Sequence, residues 1–565
     1  MRLSIIFPCI YETEYGNAQG CTFAYNKAGN TFAKASPSPK LGKTRKGEIA
    51  LYSKVHSVGI TGVEGVPILV EADVSDGLPG FSMVGYLSSE VREAQDRVRT
   101  ALKNSGFRLS AKKVTINLSP ADIRKEGTAF DLPIAVAVLA ASGMVQASAL
   151  DNCVISGELG LDGRIKPVRG ALSITLAAKR AGKQKCFFPR ENAGEGLIIE
   201  GMEIIGVENL RDLTDYLNFP EKQMNVRTGT PRIMDRLKAY DIDFSEVGGQ
   251  FLLRRATEVA VAGMHNILYI GPAGTGKTMI ARRIPTIMPS LSVEETIAIS
   301  KIYSVCGLLS QEEPLIAQRP FRSPHHTITP QALAGGGRIP KPGEISLASG
   351  GVLFLDELPE FQKNTIEILR QPLEEGKITV SRIHGAHVFP ADFILAAAMN
   401  PCLCGYYPDR SRCRCSEQQI RRYLGRISKP LLDRIDICVE SGAVTYEELQ
   451  QKKGGEPSAA IRQRVEAARL IQKERLAGSG IYFNSAMKRA QLEKFCVLEK
   501  EEKGFLKKVY DSFGISARGY EKILKISRTI ADLAGSERIT RDHLAEAVGL
   551  RSLEGKYWGG VYGQP

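Results

Sequence analysis

The chain has 565 residues, 43% hydrophobic and 7% aromatic with a single Trp, which excludes a coiled coil and a largely disordered chain. At about 150 residues per domain it has room for roughly three. A balance of 75 Lys and Arg against 62 Asp and Glu gives a formal charge of +13, which favours a polyanionic partner such as nucleic acid over an inert basic surface.

The 11 cysteines do not read as a disulfide framework in a chain of this length, and a reducing cytoplasm is the simpler setting. The opening MRLSIIFPCIYETEYG has no convincing cleavage site, and no run approaches the ~20 apolar residues of a membrane span. Residues 1–50 are polar and aperiodic and read as a disordered leader or a non-native start.

Order is expected from Leu51. VPILVEADV and KKVTINL read as strands by β-branched content and partial alternation. Between them SSEVREAQDRVRTALKNSG reads as an amphipathic helix, with Ser88 or Ser89 as N-cap and Gly106 past its end. LPIAVAVLAASG reads as a buried helix stopped by Gly143, so 51–219 form an α/β domain. A polar linker over 220–238 precedes a second domain over 239–445, in which NILYIGPAG, GGVLFLDEL and DFILAAAMN are apolar throughout, as buried strands of a parallel sheet are. Residues 446–565 are helical and charged and read as a small all-α domain.

GPAGTGKT follows the strand ILYI and precedes the helix TMIARRI, and it satisfies G-x-x-x-x-G-K-[ST] in full. Gly271, Pro272, Ala273, Gly274, Thr275 and Gly276 form a loop whose backbone N–H groups close around phosphates, Lys277 reaches the β/γ oxygens, and Thr278 is placed to ligate Mg²⁺. The strand GVLFL runs into Asp356 and Glu357, where a Mg²⁺-binding carboxylate and a water-orienting carboxylate are needed.

GPAGTGKT, FRSPHHTITPQALAGGG, PKPGEISLASGGVLFLDELPEF and PLLDRID together resemble the magnesium-chelatase branch of the AAA+ ATPases. The resemblance implies a ring, usually hexameric, with ATP between subunits. It implies that Asn400 senses the γ-phosphate, that Arg434 is the finger offered to the neighbour's ATP, and that Arg518 is the arginine of the helical lid; a guanidinium suits both tasks. SGELGLDGRIKPVRGALSITLAAKRAG and KEGTAFDLPIAVAVLAAS resemble the proteolytic domain of Lon, a ribosomal S5 domain 2-like α/β fold. Here the Lon serine falls on Ala129 and the Lon lysine on Leu172. With neither nucleophile nor base, peptidase activity is not expected, and the adjacent Ser173 is out of register on its helix.

The order Lon-like domain, AAA+ module, helical lid resembles the ComM/YifB family, whose members include DNA branch-migration helicases of recombination and natural transformation. What this implies is a Mg²⁺-dependent ATPase moving on branched or single-stranded DNA without sequence specificity, as a homo-oligomer and without a membrane. The rival readings are a metal-chelatase motor remodelling a protein partner, a Lon-like protease, and a non-enzymatic binding protein.

Two insertions offer contacts to a load. Arg322, His325, His326, Arg338 and Lys341 in the first, and Arg382 and His384 in the hairpin SRIHGAHVFP, could meet phosphates. Cys402, Cys404, Cys413 and Cys415 form two C-x-C pairs that could hold a structural Zn²⁺, with free thiols or a redox pair as alternatives. Arg410, Arg412 and Arg414 interleave with them.

Overall fold

The computed structural model describes residues 52–221, 240–442 and 455–558, apart from Ser110, Ile383, His384 and Ser552. The leader and nearly all of the linker read above lie outside the described residues, as does His384.

The first domain opens on a four-stranded sheet of β1 (Tyr52–Thr61), β2 (Glu64–Ser75), β3 (Gly80–Val84) and, after helix α1 (Ala94–Asn104), β4 (Lys113–Ser119). In β2, Ile68, Val70, Ala72 and Val74 are buried and the residues between them are not, so alternation sets one face towards the core. That face receives α2 (Asp131–Ala141), in which every residue is buried and which ends before the left-handed Gly143, at φ 74°. The helix expected from Ser88 or Ser89 is in two pieces, Ser89–Arg92 and then α1, with Ser88 as N-cap. A parallel sheet of β5 (Cys153–Ile155), β6 (Lys185–Pro189) and β7 (Glu203–Val207) follows, covered by α3 (Ala171–Arg180).

The second domain is built on five parallel strands. After helix α4 (Phe251–Gly263) come β8 (Ile267–Ile270), α5 (Lys277–Ile287), α6 (Val293–Cys306), β9 (Phe321–Arg322), β10 (Val352–Leu355), β13 (Ile394–Met399) and β14 (Ile437–Glu440). Between β10 and β13 lies an antiparallel hairpin of β11 (Lys377–Arg382) and β12 (Gly385–Pro390). Strands β8, β10 and β13 are buried along their whole length because helices cover both faces of the sheet. The spatial order is β9-β10-β13-β8-β14. The first strand of the domain therefore lies between the fourth and the fifth, and the crevice at that point is where α/β sheets bind ligands. Strand β9 is a difference from the sequence reading, which took Phe321 and Arg322 as part of an insertion. They form the sheet's edge, paired with Val352 and Leu353.

The C-terminal region is helical: α7 (Ser458–Arg475), α8 (Lys500–Phe513), α9 (Ala517–Leu533) and α10 (Arg541–Gly549). α7 and α9 pack on α4 and share one hydrophobic core with the sheet. The last helix, α11 (Leu553–Trp558), returns to the other side of the sheet, where the buried Trp558 donates its indole N–H to Leu424 O at 3.2 Å. No described helix is long and apolar enough to cross a membrane.

The first domain meets the second through α3, which packs on α6. Leu172, wholly buried, clusters with Ile198 and Ile199 of its own domain and with Leu315 of the motor. Polar ties flank this patch: Gly170 N donates to Ser304 O at 3.1 Å, Ser304 Oγ donates to the buried Glu195, Lys301 pairs with Glu64, and Arg338 pairs with Glu90.

Candidate active site

The phosphate loop leaves the buried β8 and enters α5, so its glycines sit between two rigid elements. Gly274 and Gly276 adopt left-handed conformations, φ 78° and 83°, that only glycine takes without strain. Gly271 is needed for a different reason. A β-carbon there would lie 1.9 Å from Ser441 Oγ and 2.8 Å from Ser441 O, just past the end of β14. Ser441 also shares a hydrogen bond with Thr275 Oγ1 at 2.7 Å, and Gly271 N donates to Met399 O at 3.1 Å. The loop is thus pinned by its two neighbouring strands. Ser441 carries no motif, so the sequence gave no sign of this contact.

Lys277 folds back inside the loop, donating to Gly271 O at 2.8 Å and Pro272 O at 2.6 Å. Burial lowers the pKa of its ammonium, and the Asp356 carboxylate opposes that shift. Thr278 Oγ1 donates to Asp356 Oδ2 at 2.8 Å. A hydroxyl and a carboxylate converging at the mouth of the phosphate loop are the hard oxygen donors that Mg²⁺ prefers, so the donor set fits that ion.

Glu357 lies beside Asp356 at the strand end and donates its N–H to Asp356 Oδ1 at 3.0 Å. Its backbone is left-handed, φ 52°, and its side chain is 60% exposed, so the carboxylate stands out from the strand. His326 Nδ1 approaches Glu357 Oε2 to 3.9 Å, whereas His325 Nδ1 shares a hydrogen bond with Thr327 Oγ1 at 2.9 Å. The histidine pair therefore splits into a loop-bracing residue and a neighbour of the acid. Asn400 follows Met399, whose carbonyl anchors Gly271.

The remaining predicted residues lie elsewhere. Arg434 is mostly buried and pairs with Glu374 of its own chain at 2.6 Å, while donating to Pro430 O at 2.6 Å and Arg370 O at 3.1 Å. Glu374 is held below the usual carboxylate range by its bond to Arg434, and Arg518 and Arg370 add to the effect. Arg518, exposed at the start of α9, therefore gathers with Arg434 around one acid. Arg434 and Glu374 border an open groove of about 680 Å³ lined also by Gln331, Arg370 and Thr379, with no phosphate-loop residue in its wall.

Two basic residues expected at phosphates are committed within the chain. Arg322 makes a two-pronged contact with Glu344, at 2.6 and 2.7 Å, and Arg338 is paired with Glu90. A phosphate would have to compete with a carboxylate at each of them. Lys341 is exposed. Arg410 stacks over Tyr407 and Arg412 over Tyr406, with all three interleaved arginines exposed. Cys402, Cys404, Cys413 and Cys415 bring their sulfurs within 4.8 Å of one another, the only such group of metal-binding side chains among the described residues.

In the first domain, the buried Ser173 donates its hydroxyl to Val63 O at 2.7 Å. It is used structurally, and Leu172 faces the motor.

Family models for the magnesium chelatase subunit ChlI match residues 243–449 and 70–192, and a model for the C-terminal part of that subunit matches 455–551. The chain is 42% identical over 506 residues to the competence protein ComM of Haemophilus influenzae, covering 88% of this chain and 97% of the relative. To YifB of Escherichia coli it is 43% identical over 504 residues, covering 89% and 97%. The chain belongs to the ComM/YifB family. Its members are magnesium chelatase-like AAA+ ATPases. A Lon protease of Salinispora arenicola is 25% identical over 188 residues, 32% of this chain and 24% of the protease, in keeping with a Lon-like fold beside the AAA+ module.

Proposed function

We propose that this ComM/YifB-family ATPase is a Mg²⁺-dependent DNA translocase of the cytoplasm that works as a hexameric ring, acting on branched or single-stranded DNA without sequence specificity. The observation that carries the ATPase half is the convergence of Lys277, Thr278 and Asp356 at one loop, with Glu357 next to them. In this reading Lys277 leaves the loop carbonyls for the β/γ-phosphate oxygens. Thr278 and Asp356 hold Mg²⁺, directly or through water. Bound Mg²⁺ supplies charge neutralisation at the phosphates. Glu357 orients the attacking water and Asn400 reads the γ-phosphate.

The ring half rests on Arg434 and Arg518. Both gather at Glu374, beside a groove whose wall holds none of the chain's own phosphate loop, so a neighbour's nucleotide is the natural recipient of their charge. Exchange of Glu374 for phosphate oxygens on assembly would couple docking to hydrolysis. DNA is supported by the formal charge of +13, by the exposed Arg410, Arg412 and Arg414, and by the likeness to ComM, a competence protein. The absence of a serine at Ala129 and of a lysine at Leu172 argues against proteolysis.

The alternative is a chelatase-type motor that remodels a protein partner, favoured by the chelatase family models over all three parts of the chain. ATP-dependent strand exchange on a synthetic four-way junction separates the two. The protein is expected to move the junction, and Glu357→Gln to lose movement and about 10²–10⁴-fold of hydrolysis while still binding ATP. Hydrolysis that ignores DNA, with no junction movement, would favour the partner-remodelling motor.

A further inference from the structure

The fourteen-residue loop from Cys402 to Cys415 contains turns but no helix or strand, yet it is ordered around four cysteine sulfurs. Cys402 Sγ lies 3.4 Å from Cys404 Sγ and 3.8 Å from Cys413 Sγ, and Cys404 Sγ lies 3.6 Å from Cys413 Sγ. These spacings are too long for disulfides, whose sulfurs bond at about 2 Å. They match a thiolate tetrahedron, in which a Zn–S bond of ~2.3 Å places sulfurs about 3.8 Å apart. Tyr407 N donates to Cys402 Sγ at 3.4 Å, the outer-shell contact that orients a ligating thiolate. Four ligands close the shell, so the site has a structural character rather than a catalytic one.

The loop runs beside the phosphate loop. A β-carbon on Gly405 would stand 3.8 Å from Pro272 Cα, at ordinary van der Waals distance, so the two backbones run close together. At its start, Cys402 is two residues from Asn400 and buried in the motor core. Without a central ligand, a segment of turns with so few apolar side chains has little to fix that contact.

We propose that Cys402, Cys404, Cys413 and Cys415 bind one Zn²⁺ per chain, and that the closed site braces the wall of the phosphate loop at Pro272. The second half rests on the ATPase reading above; the first does not. Metal analysis of the purified full-length protein tests the first half directly. One zinc per chain is expected, falling to none in Cys413→Ser, whereas Cys415→His keeps it. Substitution with Co²⁺ is expected to give a thiolate-to-metal charge-transfer band. Iron in place of zinc, or no stoichiometric metal, overturns the site.

Equilibrium binding of a fluorescent ATP analogue tests the brace. Removing zinc is expected to weaken binding by roughly threefold or more, a coupling typical of contiguous networks, with restoration by added Zn²⁺ and with Cys415→His close to the parent. Unchanged affinity in the zinc-free protein overturns the brace. If neither form binds the analogue, the ATPase reading fails instead, and the metal count stands by itself.

Discussion

Gly271 illustrates how one missing β-carbon can set a nucleotide site. Its backbone runs so close to Ser441 that alanine would displace the end of β14. Gly271→Ala is expected to cost about 1–3 kcal/mol of stability, as overpacked cores do, and to weaken ATP binding. Adding Ser441→Gly removes the hydroxyl but leaves the carbonyl at 2.8 Å, so the double variant recovers only part of the loss. Thermal unfolding and analogue binding check this. Affinity equal to the parent in Gly271→Ala would show that the contact does not constrain the loop. At Glu357 the reverse situation holds. A side chain is present where a left-handed backbone disfavours one, and the N–H bond to Asp356 helps hold it there.

Among the elements, the junction of β14, α4 and α9 depends on one buried acid. Asp436 bonds His265 Nδ1 at 3.2 Å, Asn266 N at 3.3 Å and Lys522 Nζ at 3.1 Å, while His265 Nε2 shares a hydrogen bond with Thr529 at 2.9 Å. Burial by itself would raise the Asp436 pKa, but Lys522 and His265 outweigh it and hold the carboxyl far below the ordinary range. An acid depressed in this way stabilises the fold above its unfolded pKa of about 3.9, and loses that contribution as pH falls towards the folded value. Asp436→Asn leaves Lys522 buried and unpaired, and about 3–5 kcal/mol of destabilisation is expected. Adding Lys522→Met should recover much of it. A double-mutant cycle by urea unfolding reads the coupling; strict additivity would overturn it.

The same elements show what a sequence reveals. Strands β8, β10 and β13 were legible because residues apolar on both faces form unbroken runs. Strand β9 was not, since two residues display no period and its place at the sheet edge depends on Val352 and Leu353, some thirty residues on. The phosphate loop and the Asp356–Glu357 pair were legible because their chemistry is local in sequence. Ser441, 166 residues from Thr275, and His326 beside Glu357 were not, because folding alone brings them there. The pairing of Arg322 was hidden for a related reason: a charge announces itself in a sequence, but its partner, here Glu344, does not.

For the whole molecule, the ring proposal makes its own prediction. If Arg434 acts on a neighbour, Arg434→Ala and Lys277→Ala are each inactive alone, but mixing them restores hydrolysis. At equal amounts about a quarter of the interfaces join an intact loop to an intact arginine by random assortment. ATPase assays on mixed subunits are expected to recover activity in that proportion, and no recovery would place Arg434 in its own subunit's site.

Leu172 also bears on how the two domains are joined. A lysine there would have to place its ammonium among Ile198, Ile199 and Leu315, where burial disfavours charge. Leu172→Lys would therefore loosen the first domain from its motor at Leu315. The apolar contact and a charged group at this position exclude one another: docking of the two domains and an amine at residue 172 cannot be held together.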